Sequence, residues 1–366
     1  MAEPKALTEI CTTVNNGETV YTRLDAPDIV FYDVRRAPFD LYNFYDPINQ
    51  PIFRRIPEEV AVATSKGVTG HAMRTTGGRV RFSTDSEYIA IKSKQFDIVY
   101  KIQPPFFANV GFDLYEDTDA YSKFVRPFTP VIDMTDGYEQ IIRLSGRKMR
   151  SFTIYFPMHC GVESLYIGLQ KDAKLGEGKK YINEKPIIVY GSSIVHGVGS
   201  TRTGLSYPNI LCRRLNRNVV NLGFSGNAKG EDAIVNYMAG LDMEVFVCDY
   251  DHNARNAEYL AATHRPLYEK IRAKQPDLPF IMITRPNGAT NPSQIHERRD
   301  VVIDTYRYAR SLGDKHVYYI DGWSFFLGRY ENDCTVDGVH PNDLGYALMA
   351  DGIEAAIRQA LREKND

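Results

Sequence analysis

The 366-residue chain lacks several features that would define its class at once. It has five cysteines but no CxxC pair, which excludes a zinc ribbon and a thioredoxin-type motif. No apolar run is long enough to predict a membrane-spanning helix. The opening segment has no apolar h-region, which predicts no signal peptide in the chain as given, while a processed periplasmic or secreted form stays open.

An excess of one sign of charge is also absent. The chain has 44 basic and 46 acidic residues, which gives a net charge of −2. Because binding to phosphates needs a basic excess or patch, nucleic acid is excluded as the main partner. The apolar fraction of 43% and the charged fraction of 25% are ordinary for a globular chain. At roughly 150 residues per domain, the length predicts two domains.

Convincing helical periodicity is nearly absent from about residue 50 to 170. The alternating apolar and polar segments there are Arg79–Ile91, Phe96–Ile102, Phe152–Phe156 and Ser164–Leu169. Short alternating strands separated by turn residues are typical of an antiparallel sandwich or jelly roll. We therefore predict an all-β domain over residues 1–175.

A different pattern follows the charged stretch Lys171–Lys185. Unbroken apolar runs occur at Ile187–Tyr190, Val219–Leu222, Val245–Cys248, Phe280–Thr284 and Val317–Ile320. Helical segments alternate with them near 206–215, 230–239, 266–274, 293–312 and 343–363, the last with Asn342 available as its N-cap. Buried parallel strands alternating with helices predict a three-layer α/β/α domain over residues 184–366. Ligands bind such sheets at the carboxyl ends of the strands.

Polar residues follow these strand ends in a suggestive order. A serine hydroxyl such as that of Ser193 needs a base to take its proton, and His340 can be that base. Asp337, three residues earlier, can fix the tautomer and orientation of His340. The backbone N–H groups of Ser193 and Gly226 and the side-chain amide of Asn253 can stabilise an oxyanion. Together these parts predict a serine acyl hydrolase.

Four sequence blocks carry a resemblance to a known family. They are YGSSIVHG (190–197), NLGFSGN (221–227), DYDHNA (249–254) and DGVHPN (337–342). In order and strand context they resemble the SGNH, or GDSL-type, hydrolases, and GFDLY (111–115) resembles the GxDLY signature of a subgroup with an N-terminal β-domain. The resemblance implies a flavodoxin-like SGNH domain and an esterase, often acting on acylated carbohydrates, with no metal or organic cofactor. Two blocks depart from the family pattern, because GDS is replaced by GSS and GxND by DHNA.

Two assignments keep a competing interpretation. Ser192 is a second candidate nucleophile, and Ser193 can instead be read as a helix N-cap. A second Asp-x-x-His pattern joins Asp249 to His252. We favour His340 as the base because a loop before the last helix can bring it over the sheet end. His252 then lines the pocket or packs beneath it.

Three further residues are candidates for binding substrate. Arg285 can bind a polar group of the substrate, but an ordinary ion pair is the interpretation that we favour for it. His196 is expected either to line the pocket or to occupy a solvated helix position. Trp323 can stack on a sugar ring, although clustered aromatic residues are more often part of a core.

The sequence therefore predicts a cofactor-free serine esterase that removes short acyl groups, with acetyl favoured. The resemblance favours acetylated carbohydrate as the substrate. The expected partner is a small-molecule or oligosaccharide ester, and no membrane or nucleic-acid partner is expected. Two alternatives stay open. The chain can be a glycan-binding protein with a vestigial hydrolase domain, or a thioesterase or amidase that uses the same triad.

Overall fold

The computed structural model describes residues 9–98, 104–286, 292–328 and 330–365. The strands of the N-terminal half are β1 (Ile10–Thr13), β2 (Thr19–Thr22), β3 (Ile29–Asp33), β4 (Asp40–Tyr42), β5 (Arg79–Thr84), β6 (Tyr88–Phe96), β7 (Phe112–Asp117), β8 (Ser122–Phe128), β9 (Gly137–Arg143), β10 (Arg150–Tyr155), β11 (Gly161–Gln170) and β12 (Leu175–Glu177). They form a β1–β2 hairpin and two antiparallel sheets. One sheet has the order β12-β5-β10-β7-β8 with β4 beside β5, and the other has the order β3-β11-β6-β9.

The two larger sheets share one hydrophobic core. Val80 and Phe82 of β5 pack with Ile89 and Ile91 of β6 in that core. Since side chains alternate between the faces of a strand, these two-residue spacings place one face of each sheet inward. The predicted sandwich is confirmed. Residues 99–103 of the predicted strand Phe96–Ile102 lie outside the described residues, and β6 ends at Phe96.

The C-terminal half contains a parallel sheet of five strands. They are β13 (Ile187–Gly191), β14 (Val219–Gly223), β15 (Val245–Asp249), β16 (Phe280–Ile283) and β17 (Val317–Ile320). Their spatial order is β14-β13-β15-β16-β17, the doubly wound order of flavodoxin-like folds. The strand order reverses between β13 and β15, and ligands bind at such switch points, outside the carboxyl ends of the strands.

Helices cover both faces of this sheet. The helices of the chain are α1 (Glu58–Thr64), α2 (Lys66–Ala72), α3 (Phe106–Val110), α4 (Ser193–His196), α5 (Tyr207–Leu215), α6 (Asp232–Ala239), α7 (Ala257–Lys274), α8 (Pro292–Ser311) and α9 (Asp343–Asn365). Residues of α4, α5 and α9 form the core on one face, and residues of α6, α7 and α8 form the core on the other. The three-layer α/β/α prediction is confirmed. The predicted helix near 266–274 is too short, because Pro266 lies inside α7, which Asn256 caps.

Helices α1 and α2 come from the N-terminal half but pack on the α/β half. Ala61 of α1 and Val68 and Ala72 of α2 belong to the same core as the residues of α6 and α7. The sequence pattern gave no sign of these helices, because each has only seven residues and α2 contains two glycines. The two halves are therefore joined by shared packing as well as by the chain.

The edge strand β14 is covered by side chains of the N-terminal half. Asn43 accepts a hydrogen bond from the backbone N–H of Asn221. Arg55 donates to the Asn221 carbonyl at 2.9 Å, and Arg79 donates to the Val219 carbonyl at 3.0 Å. Edge strands expose unpaired backbone groups. Here side chains satisfy them and fix the sheet edge against the β-domain.

The GxDLY segment contacts the chain just beyond α4. Asp113 accepts hydrogen bonds from Arg202 and from the backbone N–H of Gly204, each at 2.8 Å. Tyr115 accepts a hydrogen bond from the same arginine at 2.6 Å. The motif therefore anchors the β-domain to the loop that follows α4. Among the described residues, no helix combines the length and hydropathy that a membrane span needs.

Candidate active site

The two neighbouring serines at the end of β13 have different structural roles. Ser192 is the N-cap of α4, and its hydroxyl accepts a hydrogen bond from the N–H of Ile194 at 3.2 Å. Ser193 is the first residue of the helix, and its hydroxyl points elsewhere. The helix ends after one turn at Gly197, whose φ of 107° favours glycine. The cap role therefore belongs to Ser192, and the hydroxyl of Ser193 remains available for chemistry.

Ser193, His340 and Asp337 are in contact. The Ser193 Oγ lies 2.9 Å from His340 Nε2, and His340 Nδ1 lies 2.7 Å from Asp337 Oδ2. The other oxygen of Asp337 accepts the backbone N–H of His340 at 2.8 Å and that of Val339 at 3.0 Å. The short loop before α9 thus holds the carboxylate and the imidazole in one fixed arrangement.

The environment of Asp337 determines which tautomer of His340 is present. Burial alone would raise the pKa of Asp337, but the hydrogen bonds from His340 and Val339 hold this pKa below its ordinary value. An ionised carboxylate accepts the Nδ1–H of the imidazole, so Nε2 carries a lone pair. That lone pair faces the Ser193 hydroxyl. The arrangement can therefore remove a proton from Ser193.

Two backbone N–H groups beside Ser193 are available as donors. The amides of Ser193 and Gly226 make no hydrogen bond within the part of the chain that the structure describes. Gly226 is exposed and has a φ of 72°, which explains why glycine occupies this turn. The turn is attached to β13, because the N–H of Phe224 donates to the Gly191 carbonyl at 2.9 Å.

Asn253 is held against the same turn. It ends a short 3₁₀ helix directly after β15, and its side-chain amide donates to the carbonyl of Phe224 at 3.2 Å. A side-chain amide has two N–H donors, so one hydrogen bond to Phe224 leaves the second available. The strand ends of β13, β14 and β15 thus bring Ser193, Gly226 and Asn253 to one place.

A second aspartate–histidine pair lies at the end of β15. His252 Nδ1 lies 3.3 Å from Asp251 Oδ1, and burial lowers the pKa of this histidine. Its Nε2 has no hydrogen-bond partner among the described residues. The Asp251 carboxylate also accepts the backbone N–H of Arg285 at 3.1 Å. His252 directly precedes Asn253, and the described residues give it no hydrogen bond to Ser193.

The remaining candidates lie in different surroundings. His196 is fully buried, with its ring nitrogens 3.0 and 2.8 Å from the carbonyls of Gly223 and Met158. It therefore neither lines a pocket nor faces solvent, and both expectations for it were wrong because α4 is covered by the β-domain. Trp323 is half-buried, with the Arg299 guanidinium 4.9 Å from its ring centre. Burial lowers the pKa of Arg285 beside Asp251.

Asp249, which the second Asp-x-x-His pattern joined to His252, instead lies buried beneath the site, and His252 pairs with Asp251. Asp249 ends β15, its backbone carbonyl accepts the N–H of Ser192 at 3.1 Å, and its carboxyl accepts the Tyr207 hydroxyl at 2.8 Å. Burial raises the pKa of Asp249 to about 8. An aspartate closing an apolar run, VFVCD, was the available signal. Within the described residues, no cluster of three or more His, Cys, Asp or Glu side chains has metal-binding geometry.

Two family models together match most of the chain. Residues 184–358 match the GDSL-like lipase/acylhydrolase family, and residues 29–175 match the N-terminal GxDLY domain of SGNH-hydrolase-type esterases. A comparison with curated proteins gives no match.

Solved structures share the architecture of the whole chain. A protein described as a GDSL-like lipase from Bacteroides ovatus is 26% identical, with a TM-score of 0.83 over 91% of this chain and 98% of the other. A salicylyl acyltransferase of a tetracycline biosynthetic pathway is 17% identical, with a TM-score of 0.74 over the same shares. An acetyl xylan esterase from Butyrivibrio proteoclasticus is 12% identical, with a TM-score of 0.58 over 91% and 98%. The chain belongs to the SGNH, or GDSL-type, acylhydrolase family, in the subgroup with an N-terminal GxDLY domain, and is a carboxylic ester hydrolase.

Proposed function

We propose that the protein removes short acyl groups, acetyl above all, from acylated carbohydrates by a serine mechanism. Ser193 attacks the ester carbonyl while His340 takes its proton, and His340 then delivers that proton to the departing alcohol. Water, activated by the same imidazole, releases the acyl group from Ser193. The contact of 2.9 Å between Ser193 Oγ and His340 Nε2 is the observation that carries this proposal.

The oxyanion of the tetrahedral intermediate is held by three donors. They are the N–H groups of Ser193 and Gly226 and the free N–H of the Asn253 side chain. The contact between Asn253 and the Phe224 carbonyl supports this assignment, because it orients the amide at the turn that carries Gly226. Removal of one such donor typically slows catalysis roughly a hundred- to a thousand-fold.

Carbohydrate is the proposed alcohol portion. Solved structures that share the fold include a carbohydrate esterase from Clostridium thermocellum in complex with cellohexaose and the acetyl xylan esterase. Arg285 and Trp323 follow β16 and β17 at the same edge of the sheet, and we assign them to contacts with the sugar. His252 supports the wall behind Asn253.

The test is acetate release from acetylated xylan and other acetylated oligosaccharides, with p-nitrophenyl acetate in parallel. We expect Ser193→Ala to abolish turnover. Ser192→Ala is the matched control, because it removes the neighbouring hydroxyl, whose role is to cap α4. It should cost about 1 kcal/mol of stability and keep most of the activity. Full activity in Ser193→Ala would contradict the proposal.

The same assay decides between the rival functions. A glycan-binding protein with a vestigial site would release no acetate from any ester, although the contacts of Ser193, His340 and Asp337 favour an active site. A thioesterase or amidase would turn over acyl-CoA or an anilide faster than aryl or sugar acetates. The triad chemistry serves all three bonds, so relative kcat/KM is the deciding quantity.

A further inference from the structure

Helix α2 contains two glycines and contacts the turn that carries Gly226. Gly67 and Gly70 are three residues apart and therefore share a side of the helix. Val68 and Ala72 are buried in the core of the α/β half. A glycine inside a helix costs roughly 0.5–1 kcal/mol relative to alanine. Two glycines in a helix of seven residues are therefore expected only where the neighbouring atoms leave no room for a side chain or where a ligand needs the space. Gly67 and Gly70 together form the glycine face of α2.

Gly67 lies against the turn that carries the proposed oxyanion donor. A Cβ atom at this position would lie 1.8 Å from Oδ1 of Asn227, the residue after Gly226. Any side chain here would therefore displace Asn227 or the helix. The absence of a side chain lets α2 approach the turn closely.

Arg55 fixes α2 and this turn to each other. Its guanidinium donates to the carbonyl of His71 at 2.7 Å and to that of Asn221 at 2.9 Å. The same group lies 4.8 Å from the ring centre of Phe224. One buried side chain therefore binds the end of α2 and the strand that leads into the turn, and it fixes the helix beside the turn.

Gly70 faces open space. A Cβ at this position would meet no atom within 4 Å, and the residue is partly exposed. A Cβ at Gly226 would likewise meet nothing. The ring of His71, the next residue of α2, lies 5.4 Å from that of His196, which ends α4. Gly70 therefore lies on a seven-residue helix that contacts Asn227, beside the proposed oxyanion turn, and approaches the last residue of α4.

Helix α2 and the helix that follows His340 pack on opposite faces of the parallel sheet. Residues of α2 belong to the core on one face of the parallel sheet, whereas α9, which follows His340, belongs to the core on the other face. The histidine hands its proton to the departing alcohol, so the alcohol lies on the His340 side. A substrate bound in this way can place its acyl group toward the opposite side, where α2 lies.

We propose that the glycine face of α2 is the wall of the acyl pocket and that Gly70 sets the length of acyl chain accepted. This inference rests on the proposed serine mechanism and specifies the part of the substrate that α2 contacts. A larger side chain at Gly70 shortens the pocket without touching the triad. The β-domain half of the chain thereby determines acyl specificity.

The experiment compares Gly70→Leu with Lys66→Leu, which places the same side chain at an exposed position of the same helix. The kcat/KM values for p-nitrophenyl acetate, propionate and butyrate are measured with one leaving group throughout. In Gly70→Leu the butyrate-to-acetate ratio should fall at least tenfold, since each methylene in a fitted pocket changes rates by roughly 10–200-fold. In Lys66→Leu the ratio should equal that of the wild type.

An unchanged ratio in Gly70→Leu would overturn the inference. A changed preference of Gly70→Leu among acetyl esters of different alcohols would also overturn it. Labelling of Ser193 by p-nitrophenyl methylphosphonate and butylphosphonate gives the same ratio without turnover, because the alkyl group occupies the acyl position. The wild type can release acetate from no carbohydrate while Gly70→Leu still changes the labelling ratio. In that case the proposed substrate is wrong and the inference about the acyl pocket stands.

Discussion

The structure contains two aspartate–histidine pairs at one edge of the parallel sheet. In the pair Asp337–His340, the side chains are 32% and 18% exposed, and the imidazole reaches Ser193. In the pair Asp251–His252, they are 2% and 8% exposed, and the outer imidazole nitrogen meets no partner among the described residues. Residue type is the same in both pairs. What differs is whether the loop brings the second imidazole nitrogen to the proposed nucleophile Ser193.

The largest expected effect comes from removing each histidine in turn. His340→Ala should lower kcat by roughly 10⁴-fold or more, because the proposed serine loses its base. His252→Ala should lower kcat less than about tenfold, since the lost ring contacts Asp251 and makes no hydrogen bond to Ser193. Steady-state hydrolysis of p-nitrophenyl acetate measures both. A large loss confined to His252→Ala would reverse the assignment of the base.

Replacing the aspartate of each pair by asparagine is expected to lower kcat nearly as strongly in the pair Asp337–His340 only. Asp337→Asn should lower kcat roughly 10²–10⁴-fold, because an amide can donate to Nδ1 and thereby favour the wrong tautomer of His340. Asp251→Asn should act mainly on stability, by about 1–3 kcal/mol, because the buried carboxylate binds His252 and the backbone of Arg285. Urea unfolding and kcat measured on the same samples separate the two effects. Equal kcat losses would contradict the comparison.

Asp249, which ends β15 two residues before Asp251, is a third carboxyl group near the two pairs. Burial raises its pKa to about 8, so the folded protein keeps a proton that the unfolded chain releases near pH 4. Between these two pH values the folded state binds more protons at this site than the unfolded state. The free energy of unfolding therefore falls as the pH rises from about 4 to about 8. The slope is at most about 1.4 kcal/mol per pH unit.

Asp249→Asn should remove this slope, and its stability relative to the wild type should rise from pH 4 to pH 8. Urea unfolding at unit pH intervals measures the difference. Asp232→Asn is a suitable control, because that carboxylate is exposed. A wild-type profile parallel to that of Asp249→Asn would show that the carboxyl is ionised when folded.

The smallest effect concerns the contact between α2 and the oxyanion turn. Gly67→Ala should lower kcat about three- to tenfold, because the new methyl group displaces the Asn227 side chain and disturbs Gly226. The double variant with Asn227→Gly should recover most of that loss, since the displaced side chain is gone. Additive losses in this double-mutant cycle would show that the two residues do not act through each other.

Elements with strong periodicity were predictable from sequence. The central parallel strands are unbroken apolar runs, such as Ile187–Tyr190, because both of their faces are buried. Asn342 was expected to cap the last helix, and its side chain accepts the N–H of Gly345 at 3.0 Å. The flavodoxin-like architecture followed from the family resemblance, and the three layers followed from the rule for right-handed crossovers.

Features that depend on contacts between the two halves were not predictable. Helices α1 and α2 are too short for a helical pattern, and their stability comes from packing on the α/β core. The burial of His196 depends on Met158, which lies in a distant loop. The two Asp-x-x-His patterns were equivalent as local sequence, and only the path of the loop before α9 distinguishes His340.

The most direct test of the central claim is the site and rate of covalent labelling by p-nitrophenyl methylphosphonate, mapped by peptide mass spectrometry. The account predicts an adduct on Ser193, formed at similar rates in the wild type and His252→Ala and at least about a hundredfold more slowly in His340→Ala. An adduct on Ser192, or labelling that His340→Ala leaves unchanged, would contradict it.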